Sequence, residues 1–428
     1  MANGSDSRFY RPKPKAQSLL MPLNRDALLL YAAAFLRSAC AGLTGVAAAI
    51  VLKERSLSVS QAGYVIGAGL AGAAIATAAV SAWADALGRR RTLALLAVMT
   101  TAGYVTLATS HHFILLLCLS CLGMVNAMGR DRGAAAALEQ AILPQTTVPA
   151  RRTWTFAWYN VVLDAGQTAG SAAAALPILL AGAWGVRVAA AHAWAFAACG
   201  MAVFATTAAY AALSPRIEAA AVPEPPQVAM LATATVLRRL VLLFGLDSLG
   251  SGFLNSALLA YWFFERYAMS EAHVALLFAA ARLLNALSHL LAAWLSRRIG
   301  LLNTMVATHL PSSLLLMSAP LAPTAAGASA LFLAREALVE MDVPTRQSYM
   351  MAIVPPDRRT LVSGVTNVTR LIGWATGPLI AGLMMQGVAS ASPLIVGGSL
   401  KILYDVLLYR AFHAVKAPEE QVRGTDDG

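Results

Sequence analysis

The chain has few charged residues and almost no cysteine. Of its 428 residues only 12% are Asp, Glu, Lys or Arg, and 58% are hydrophobic, whereas soluble domains carry about 25% charged residues. The four cysteines, at positions 40, 118, 121 and 199, all lie inside apolar runs. Their number and placement exclude a disulfide framework and match no metal-ligand spacing. The scarcity of charge excludes an ordinary soluble protein.

Long apolar runs stand where a soluble protein would carry charge. Runs of about 20 apolar residues recur along the chain, and each is long enough to cross a hydrocarbon core of about 30 Å. The first 26 residues are polar and basic and contain no apolar core ahead of a cleavage site, so we predict no signal peptide. The sequence therefore predicts an all-α integral membrane protein.

Basic residues outnumber acidic ones, 32 to 21, but they are unevenly distributed. If Arg238, Arg239 and Arg410 at span ends are counted with the adjoining connectors, twenty of them fall in the tails and in the connectors after even-numbered spans. Four fall in the opposite connectors, and eight lie within spans. This is the asymmetry of the positive-inside rule, which places the basic connectors in the cytoplasm. It predicts cytoplasmic termini, and it accounts for the net charge of +11 without a nucleic-acid partner.

Twelve membrane spans are predicted, in two sets of six. They cover 27–51, 61–86, 92–110, 113–140, 154–180 and 188–212, and then 237–263, 273–296, 302–323, 326–348, 361–387 and 392–412. The proline-rich stretch 213–236 separates the two sets. We therefore divide the chain into a cytoplasmic tail 1–26, a six-helix bundle 27–212, a cytoplasmic linker 213–236, a second bundle 237–412 and a cytoplasmic tail 413–428.

The connector between spans 2 and 3 concentrates charge in a short turn. It reads Ser-Ala-Trp-Ala-Asp-Ala-Leu-Gly-Arg-Arg-Arg-Thr over residues 81–92. This segment resembles the loop between helices 2 and 3 of the major facilitator superfamily, Gly-x-Leu-x-Asp-Arg-x-Gly-Arg-Arg. Four positions match that pattern: Asp85, Gly88, Arg89 and Arg90. Three depart from it, since Ser81, Trp83 and Ala86 stand where the family has Gly, Leu and Arg.

The resemblance implies that this loop is a cytoplasmic gate. In the family the loop Asp and the following Arg form a charge network with an acid at the cytoplasmic end of helix 4, and Glu139 is predicted for that role. Alternatively, Glu139 only extends toward the lipid headgroups. In the second half the corresponding loop has lost the motif, because Arg297 stands where Asp85 would be. The gate is therefore predicted to be asymmetric.

The two halves of the chain repeat one another. Residues 149–170 align without a gap to 356–377, with eight of 22 pairs identical. The identical pairs are Pro149/Pro356, Arg151/Arg358, Arg152/Arg359, Thr153/Thr360, Asn160/Asn367, Val161/Val368, Gly166/Gly373 and Gly170/Gly377. Ser38 and Gly42 likewise correspond to Ser248 and Gly252. Facilitator transporters are built from such repeats and bind substrate near the membrane midplane between them.

Charged residues inside spans are costly, about 2.5–3.5 kcal/mol each on insertion scales, and they face a cavity or a partner. Spans 3, 6 and 9 carry none, and the resemblance implies that these are outer helices. We predict a substrate or proton site in a water-accessible central cavity. Its charged members are Arg37, Arg130, Asp131, Asp164, Asp247, Arg282, Arg335, Glu336 and Arg370. Asn160 and Asn367 are predicted to hydrogen-bond the substrate, or alternatively to brace helix packing.

Some of these charges are expected to pair. Arg37 corresponds in the repeat to Asp247, and Glu139 corresponds to Arg346. Equivalent positions face each other across a pseudo-twofold axis. Arg37 and Asp247 could therefore pair in one state and separate in another, as part of a substrate or proton site, or form a static salt bridge between the halves. Lys401 and Asp405 are spaced i, i+4 in span 12 and are predicted to pair on one helix face.

The predicted function is secondary active transport by alternating access in a bacterial inner membrane. Proton-coupled export is the first prediction, because no sugar-transporter signature is recognised and the chain resembles bacterial exporters more than sugar importers. The arginines favour an anionic or zwitterionic small molecule. The chain has no P-loop and no serine elbow, so we predict no enzyme, catalytic residue, cofactor or metal. The predicted partners are solute, protons and lipid, around a monomer. The alternatives are an importer of an organic anion and a non-transporting membrane sensor.

Overall fold

The computed structural model describes residues 24–57, 59–125, 131, 133–218, 227–254, 256–269, 271–415 and 417. Within these residues the chain forms helices and contains no strand, which confirms the predicted all-α class. The helices of the first half are α1 Arg25–Glu54, α2 Val59–Leu87, α3 Arg89–Thr109, α4 Phe113–Leu122, α5 Ala134–Ile142, α6 Arg152–Ala173, α7 Leu176–Trp184 and α8 Val188–Ala211. Those of the second half are α9 Gln227–Phe253, α10 Ser256–Tyr267, α11 Glu271–Ile299, α12 Leu301–Ser318, α13 Ala325–Val339, α14 Asp342–Ile353, α15 Arg359–Gly387 and α16 Ser392–Phe412.

Six of the described helices contain a stretch long and apolar enough to cross a membrane. These stretches are Arg25–Ala48, Tyr64–Leu87, Arg89–Thr109, Val188–Ala211, Leu276–Ile299 and Ser392–Phe412. Large apolar side chains, such as those of Ile75, Met201 and Leu276, project from these helices and are more than half exposed. Such exposure is rare on a soluble monomer and is expected of a surface that faces lipid. The total of twelve spans and the orientation of the termini stay predictions.

Four predicted spans are not continuous helices. Spans 4, 5, 7 and 10 are each divided between two helices, namely α4 and α5, α6 and α7, α9 and α10, and α13 and α14. The prediction of uninterrupted helices there was wrong, because apolar length does not reveal where the backbone hydrogen bonds break. Non-helical backbone at membrane depth is tolerated where it is buried in protein or lines a cavity. Gly133 and Glu340, at the breaks in spans 4 and 10, do line a cavity.

A close helix crossing holds each half together, between α1 and α6 in the first half and between α9 and α15 in the second. A Cβ on Gly170 of α6 would lie 1.8 Å from the carbonyl oxygen of Ala39 in α1. A Cβ on Gly377 of α15 would lie 2.5 Å from the Cα atom of Gly252 in α9. Only small residues allow backbones to approach this closely. Because Gly170 and Gly377 are a repeat pair, the internal repeat produces the same packing twice.

The two halves contact each other mainly at one end. The contacts join α2 and α5 to α15, and α6 to α11 and α14. No comparable contact with the other half is made by α4, α7, α10 or α13, as far as the described residues show. We call the contacting end the linker side, because the loop 81–92 and residues 213–218 lie there. Helix α9 begins at Gln227, inside the predicted linker 213–236, while residues 219–226 and most of both tails lie outside the described ranges.

Candidate functional site

A cavity of about 350 Å³ lies between the two halves, within the usual range for small-molecule sites. The first half contributes mostly small and apolar groups to its wall, such as Leu70, Ala73 and Gly133. The charged lining comes from the second half: Asp247, Arg282, Arg335, Glu336, Glu340, Asp342, Arg346, Arg370 and Lys401. The cavity is therefore strongly asymmetric in charge.

The predicted site residues are distributed over several places. Five of them line this cavity: Asp247, Arg282, Arg335, Glu336 and Arg370. Arg37 and Asp131 line a separate cavity of about 60 Å³ within the first half. Asn160, Asp164 and Asn367 line neither of these two cavities. Arg130 lies outside the described residues.

Arg37 of α1 and Glu139 of α5 form the centre of a buried cluster in the first half. The Arg37 guanidinium donates to both carboxylate oxygens of Glu139, at 2.7 and 2.8 Å, in the bidentate geometry that arginine favours. The hydroxyls of Tyr159 and Tyr210 donate to the same carboxylate at 2.7 and 2.8 Å. The Asp131 carboxylate lies 2.9 Å from Arg37. We call these five residues the first-half cluster.

Asp247 of α9 is the centre of a larger cluster in the second half. Its two carboxylate oxygens accept from Lys401 of α16 at 2.8 Å and from Arg346 of α14 at 3.2 Å. Arg346 also donates to Asp342 at 2.7 Å, and its guanidinium lies over the ring of Phe244. All these charged groups are buried, so their mutual pairing offsets part of the cost of removing them from water.

His309 of α12 and Asp405 of α16 extend this cluster away from Asp247. The Nδ1 atom of His309 is 2.9 Å from an Asp405 carboxylate oxygen, and its Nε2 atom is 3.3 Å from the Lys401 ammonium nitrogen. The second-half cluster thus consists of Asp247, His309, Asp342, Arg346, Lys401 and Asp405. Of these six residues the sequence analysis predicted only Asp247 for the site. A histidine in an otherwise uncharged span, opposite a Lys and Asp in span 12, was the available signal for His309.

Three predicted contacts are absent from this structure. Arg37 and Asp247 do not pair, because each has its ion partners within its own half. Lys401 and Asp405 do not pair with each other, because Asp247 and His309 on neighbouring helices hold them apart. Glu139 does not join the loop 81–92, because Arg37 and two tyrosines occupy its carboxylate. Sequence spacing and repeat symmetry do not show how far each helix is rotated about its axis.

The remaining charged residues of the cavity wall also have partners. Glu336 forms an ion pair with its neighbour Arg335 and accepts a hydrogen bond from Asn285 at 2.9 Å. The guanidinium of Arg370 lies 4.9 Å from the ring centre of Trp374, a cation–π arrangement. These contacts hold the side chains in place at the surface of the cavity.

On the linker side of the cavity, Asp164 and Asn160 of α6 each contact a residue of the second half. The Asp164 carboxylate lies 3.1 Å from Nε2 of His289 in α11, whose Nδ1 is 3.2 Å from the carbonyl oxygen of Glu340. Asn160 donates to the side chain of Gln347 in α14 at 2.7 Å. Its repeat partner Asn367 donates instead to the carbonyl oxygen of Ser363 in its own helix. Of the two predicted roles, Asn160 therefore has the bracing one here.

The loop 81–92 also connects the halves. Arg89 donates to Asp85 at 2.7 Å across one helical turn. The hydroxyl of Thr360, at the start of α15, accepts from Arg89 at 3.1 Å and donates to Asp85 at 2.9 Å. Gly88 has φ of 92°, in the region that favours glycine. The turn therefore places both charged residues against the second half.

An acid does join this loop, but it comes from the segment after α8. Glu218 accepts hydrogen bonds from the backbone N–H groups of Arg89 and Arg90, at 2.6 and 3.3 Å. These groups begin α3 and would otherwise lack helical acceptors. Arg90 itself donates to the carbonyl oxygen of Ala211 at the end of α8 at 2.5 Å. The acid bound to this loop is therefore Glu218, through backbone N–H groups, and the charge network predicted with Glu139 is not formed here.

Comparisons with known proteins agree with this architecture. A family model described as Major Facilitator Superfamily matches residues 30–378. An uncharacterized membrane protein of Saccharomyces cerevisiae, YJR124C, is 25% identical over 427 residues, covering 92% of this chain and 95% of its own.

Two solved structures share the fold. The human organic anion transporter MFSD10 (TETRAN) has a TM-score of 0.71 at 18% identity, covering 91% of this chain and 100% of that chain. A bacterial homologue of the iron transporter ferroportin, in an outward-facing state, has a TM-score of 0.69 at 14% identity, covering 90% and 98%. At these identities the likeness shows the fold alone.

Proposed function

The chain belongs to the major facilitator superfamily of membrane transporters, and on this basis we propose that it is a proton-coupled secondary transporter of a small organic solute, with the cavity between its halves as the solute site. The observation that carries the proposal is the position of this cavity. It lies between two repeated bundles, where transporters built from repeats bind their substrates. Alternating access then requires the contacts on the linker side to open and close.

The arrangement of those contacts supports an outward-facing state. The loop 81–92, Asn160 and Asp164 all join the halves on the linker side. The distribution of Lys and Arg predicts that this side is cytoplasmic. A cavity closed on its cytoplasmic side is the state in which a solute enters from outside or has just been released there.

The charge of the cavity wall supports an anionic or zwitterionic solute. Five cationic side chains line the wall, and four of them are arginines: Arg282, Arg335, Arg346, Arg370 and Lys401. Arginine presents a planar fork of donors that matches carboxylate and phosphate groups. The human relative in fold is named an organic anion transporter, which points to the same class. Four carboxylates on the same wall leave room for the amino group of a zwitterion.

The direction of transport depends on how the proton and the solute interact. In proton-coupled export, protons move inward while the solute moves outward, so the proton and the solute must compete for the protein. In proton-coupled import both move inward, so they must bind together. The absence of a sugar-transporter signature was the basis for predicting export. The cationic wall favours the alternative of an imported organic anion, because protons that move inward with the anion offset its negative charge.

A screen of melting temperature would identify the solute class. The purified protein in detergent would be heated with organic anions, zwitterions and lipophilic cations in separate arms. A ligand at 100 times its dissociation constant should stabilise the native state by about 2.7 kcal/mol. We expect stabilisation by anions or zwitterions that is lost in Arg282→Gln but kept in Arg266→Gln, since Arg266 is exposed on α10 and does not line the cavity.

Uptake by proteoliposomes would then separate a transporter from a sensor. We expect the stabilising compound to accumulate in vesicles when a proton gradient is imposed, with a direction that reverses when the gradient is reversed. Ligand binding without any movement across the membrane would support the sensor and refute the proposal. Stabilisation by lipophilic cations alone would refute the proposed solute class. Localisation to a bacterial inner membrane is part of the proposal, although the relative from Saccharomyces cerevisiae is a eukaryotic protein.

A further inference from the structure

His309 lies among more ionisable groups than any role in helix packing requires. From α16 it faces Asp405 and Lys401 and stands edge-on to the ring of Tyr404. From α9 it faces Asp247, at 3.9 Å. Two arginines act on Asp247 from the remaining elements, Arg346 of α14 and Arg370 of α15. The imidazole, Lys401 and Asp247 all line the central cavity.

The hydrogen bonds determine the protonation state of His309 in this arrangement. A lysine ammonium group has three donors and no acceptor. Lys401 Nζ lies 3.3 Å from Nε2 of His309, so Nε2 must accept and cannot carry a proton. The other ring nitrogen, Nδ1, then carries the proton and donates it to Asp405. His309 is therefore neutral here, and Lys401 donates both to it and to Asp247.

The direct ion pairs of the cluster do not extend to Asp405. Asp247 and Asp342 pair with Arg346 and Lys401, whereas the close contact of Asp405 among the described residues is the imidazole of His309. Asp405 is buried among membrane helices, where an unpaired charge is costly. A proton on His309 would give this carboxylate a cationic partner. Histidine is the side chain that can take up such a proton in the physiological range.

A proton on His309 would also change which groups pair. Nε2 would become a donor facing the Lys401 ammonium, so the contact at 3.3 Å would turn from a hydrogen bond into a repulsion between two cations. The same Nε2 lies 3.9 Å from the Asp247 oxygen to which Lys401 now donates. A small movement would therefore let the imidazolium replace the ammonium on that oxygen.

We infer that His309 is a proton-binding site of the transporter, and that its protonation exchanges Lys401 for His309 on Asp247 and frees the Lys401 ammonium to bind a carboxylate or phosphate group in the cavity. The proton comes from water in the cavity, which His309 and Lys401 both line. This inference rests on the proposed function, because it takes the cavity as the solute site. It makes proton and anion binding cooperative, which is the relation needed for import.

Nitrogen NMR of the protein in nanodiscs, with 15N-labelled histidine and lysine, tests the exchange without any solute. We expect His309 to be the neutral Nδ1–H tautomer at the alkaline end of a pH series and to take up a proton as the pH is lowered. The Nζ signal of Lys401 should change at the same pH. Replacing the other six histidines, at 111, 112, 192, 273, 289 and 413, leaves His309 as the single imidazole signal.

Two substitutions should move this titration in opposite directions. Asp405→Asn keeps an acceptor for Nδ1–H but removes the negative charge, so protonation should require a pH lower by about 1 unit or more. Lys401→Gln removes the facing cation, so protonation should occur at a pH higher by a similar amount. These two variants keep the test available where a His309→Gln protein does not fold.

Specific results would overturn the inference. A His309 that stays neutral at every pH at which the protein remains folded, or a Lys401 signal that does not change while His309 takes up its proton, would show that no exchange occurs. Transport by a protein whose His309 takes up no proton would refute this inference alone and leave the proposed function standing. The expected titration in a protein that moves no solute would instead refute the proposed function and leave the proton site.

Discussion

The two halves of the transporter carry an ion pair at the same two repeat positions, but with the signs exchanged. In the first half Arg37 of α1 pairs with Glu139 of α5. In the second half Asp247 of α9, the repeat partner of Arg37, pairs with Arg346 of α14, the repeat partner of Glu139. The repeat therefore conserves the contact between these two helices, while the chemistry on either side of it is reversed.

The surroundings of the two pairs differ more than the pairs do. The Glu139 carboxylate accepts four hydrogen bonds and is fully buried, so it has no capacity left for another ligand. The Asp247 carboxylate faces the central cavity and holds an ammonium that a neighbouring imidazole could replace. The first pair has the properties of a structural support, and the second has those of an exchangeable site. Two changes test this contrast directly, and two further changes test the packing around the loop 81–92.

The largest effect on stability is expected from Glu139→Gln. It leaves the Arg37 guanidinium with Asp131 as its remaining carboxylate, and breaking a buried ion pair in this way costs about 3–5 kcal/mol. Chemical unfolding in detergent would measure the loss. The matched change in the second half is Asp342→Asn, which also leaves Arg346 a carboxylate, that of Asp247. It disturbs one hydrogen bond with Arg346 rather than the four that Glu139 accepts, so it should cost less, about 1.5–3 kcal/mol. Equal losses in the two halves would contradict the contrast.

A large effect on transport, with a smaller one on stability, is expected from Asp247→Asn. The amide keeps an acceptor for Lys401 but removes the charge that alternately holds the ammonium and the imidazolium. We expect proton-driven uptake of the stabilising anion to fall at least about tenfold, equivalent to about 1.4 kcal/mol. Asp131→Asn in the first half is the control and should reduce uptake less. A larger loss of uptake in Asp131→Asn than in Asp247→Asn would place the exchangeable site in the first half and contradict the contrast.

Gly364→Ala is expected to raise the fraction of molecules in which the two halves are separated on the linker side. The added Cβ would lie 1.5 Å from Oγ and 2.6 Å from Cβ of Ser81, so α2 and α15 must separate on the linker side. A cost of about 1.4 kcal/mol already changes the population ratio tenfold. Spin labels at positions 148 and 355, which are exposed repeat partners, should report a longer distance when the four native cysteines are replaced.

The double variant Ser81→Gly with Gly364→Ala provides the control for that experiment. It moves the side chain from one helix to the other and removes the overlap, so the distance between the spin labels should return toward that of the parent protein. A distance that stays long in the double variant would show that Gly364 acts through something other than this contact. Ser81 stands where the family's loop pattern has Gly, so the exchange also restores that residue.

The smallest effect is expected from Glu218→Gln, which tests the loop 81–92 rather than the two clusters. The carboxylate caps the first N–H groups of α3, and losing its charge at a helix N-terminus should cost about 1 kcal/mol. Thermal unfolding would measure this loss, with Glu265→Gln, at an exposed acid of α10, as the control. A loss no larger than that of the control would show that Glu218 does not stabilise the start of α3.

Much of the fold followed from local features of the sequence. Apolar runs predict helices because a membrane span needs about 20 such residues, and the resemblance of residues 81–92 to the family loop predicted the superfamily that the comparisons confirm. The repeat aligned Gly170 with Gly377, and the structure places both at close helix crossings. Five of the predicted site residues do line the cavity, because charge inside a span is costly unless it faces water or a partner.

The partners of those residues could not be obtained in the same way. Repeat symmetry shows that Arg37 and Asp247 are equivalent, but whether they touch depends on how the two bundles tilt. Helix spacing shows that Lys401 and Asp405 share a face, but their hydrogen-bond partners are on other helices. His309 was overlooked because a neutral imidazole carries no formal charge in a count of Asp, Glu, Lys and Arg.

The sequence by itself determined the class of protein, its superfamily, its internal repeat and the helices that carry charge. These depend on composition and spacing along one dimension, which survive any rearrangement of the helices. The tertiary structure alone decided which charges pair, where four spans break, and that Glu218 rather than Glu139 is the acid that binds the loop 81–92. Hydrogen bonds and ion pairs form only within about 3 Å, so a small rotation of one helix is enough to exchange one partner for another.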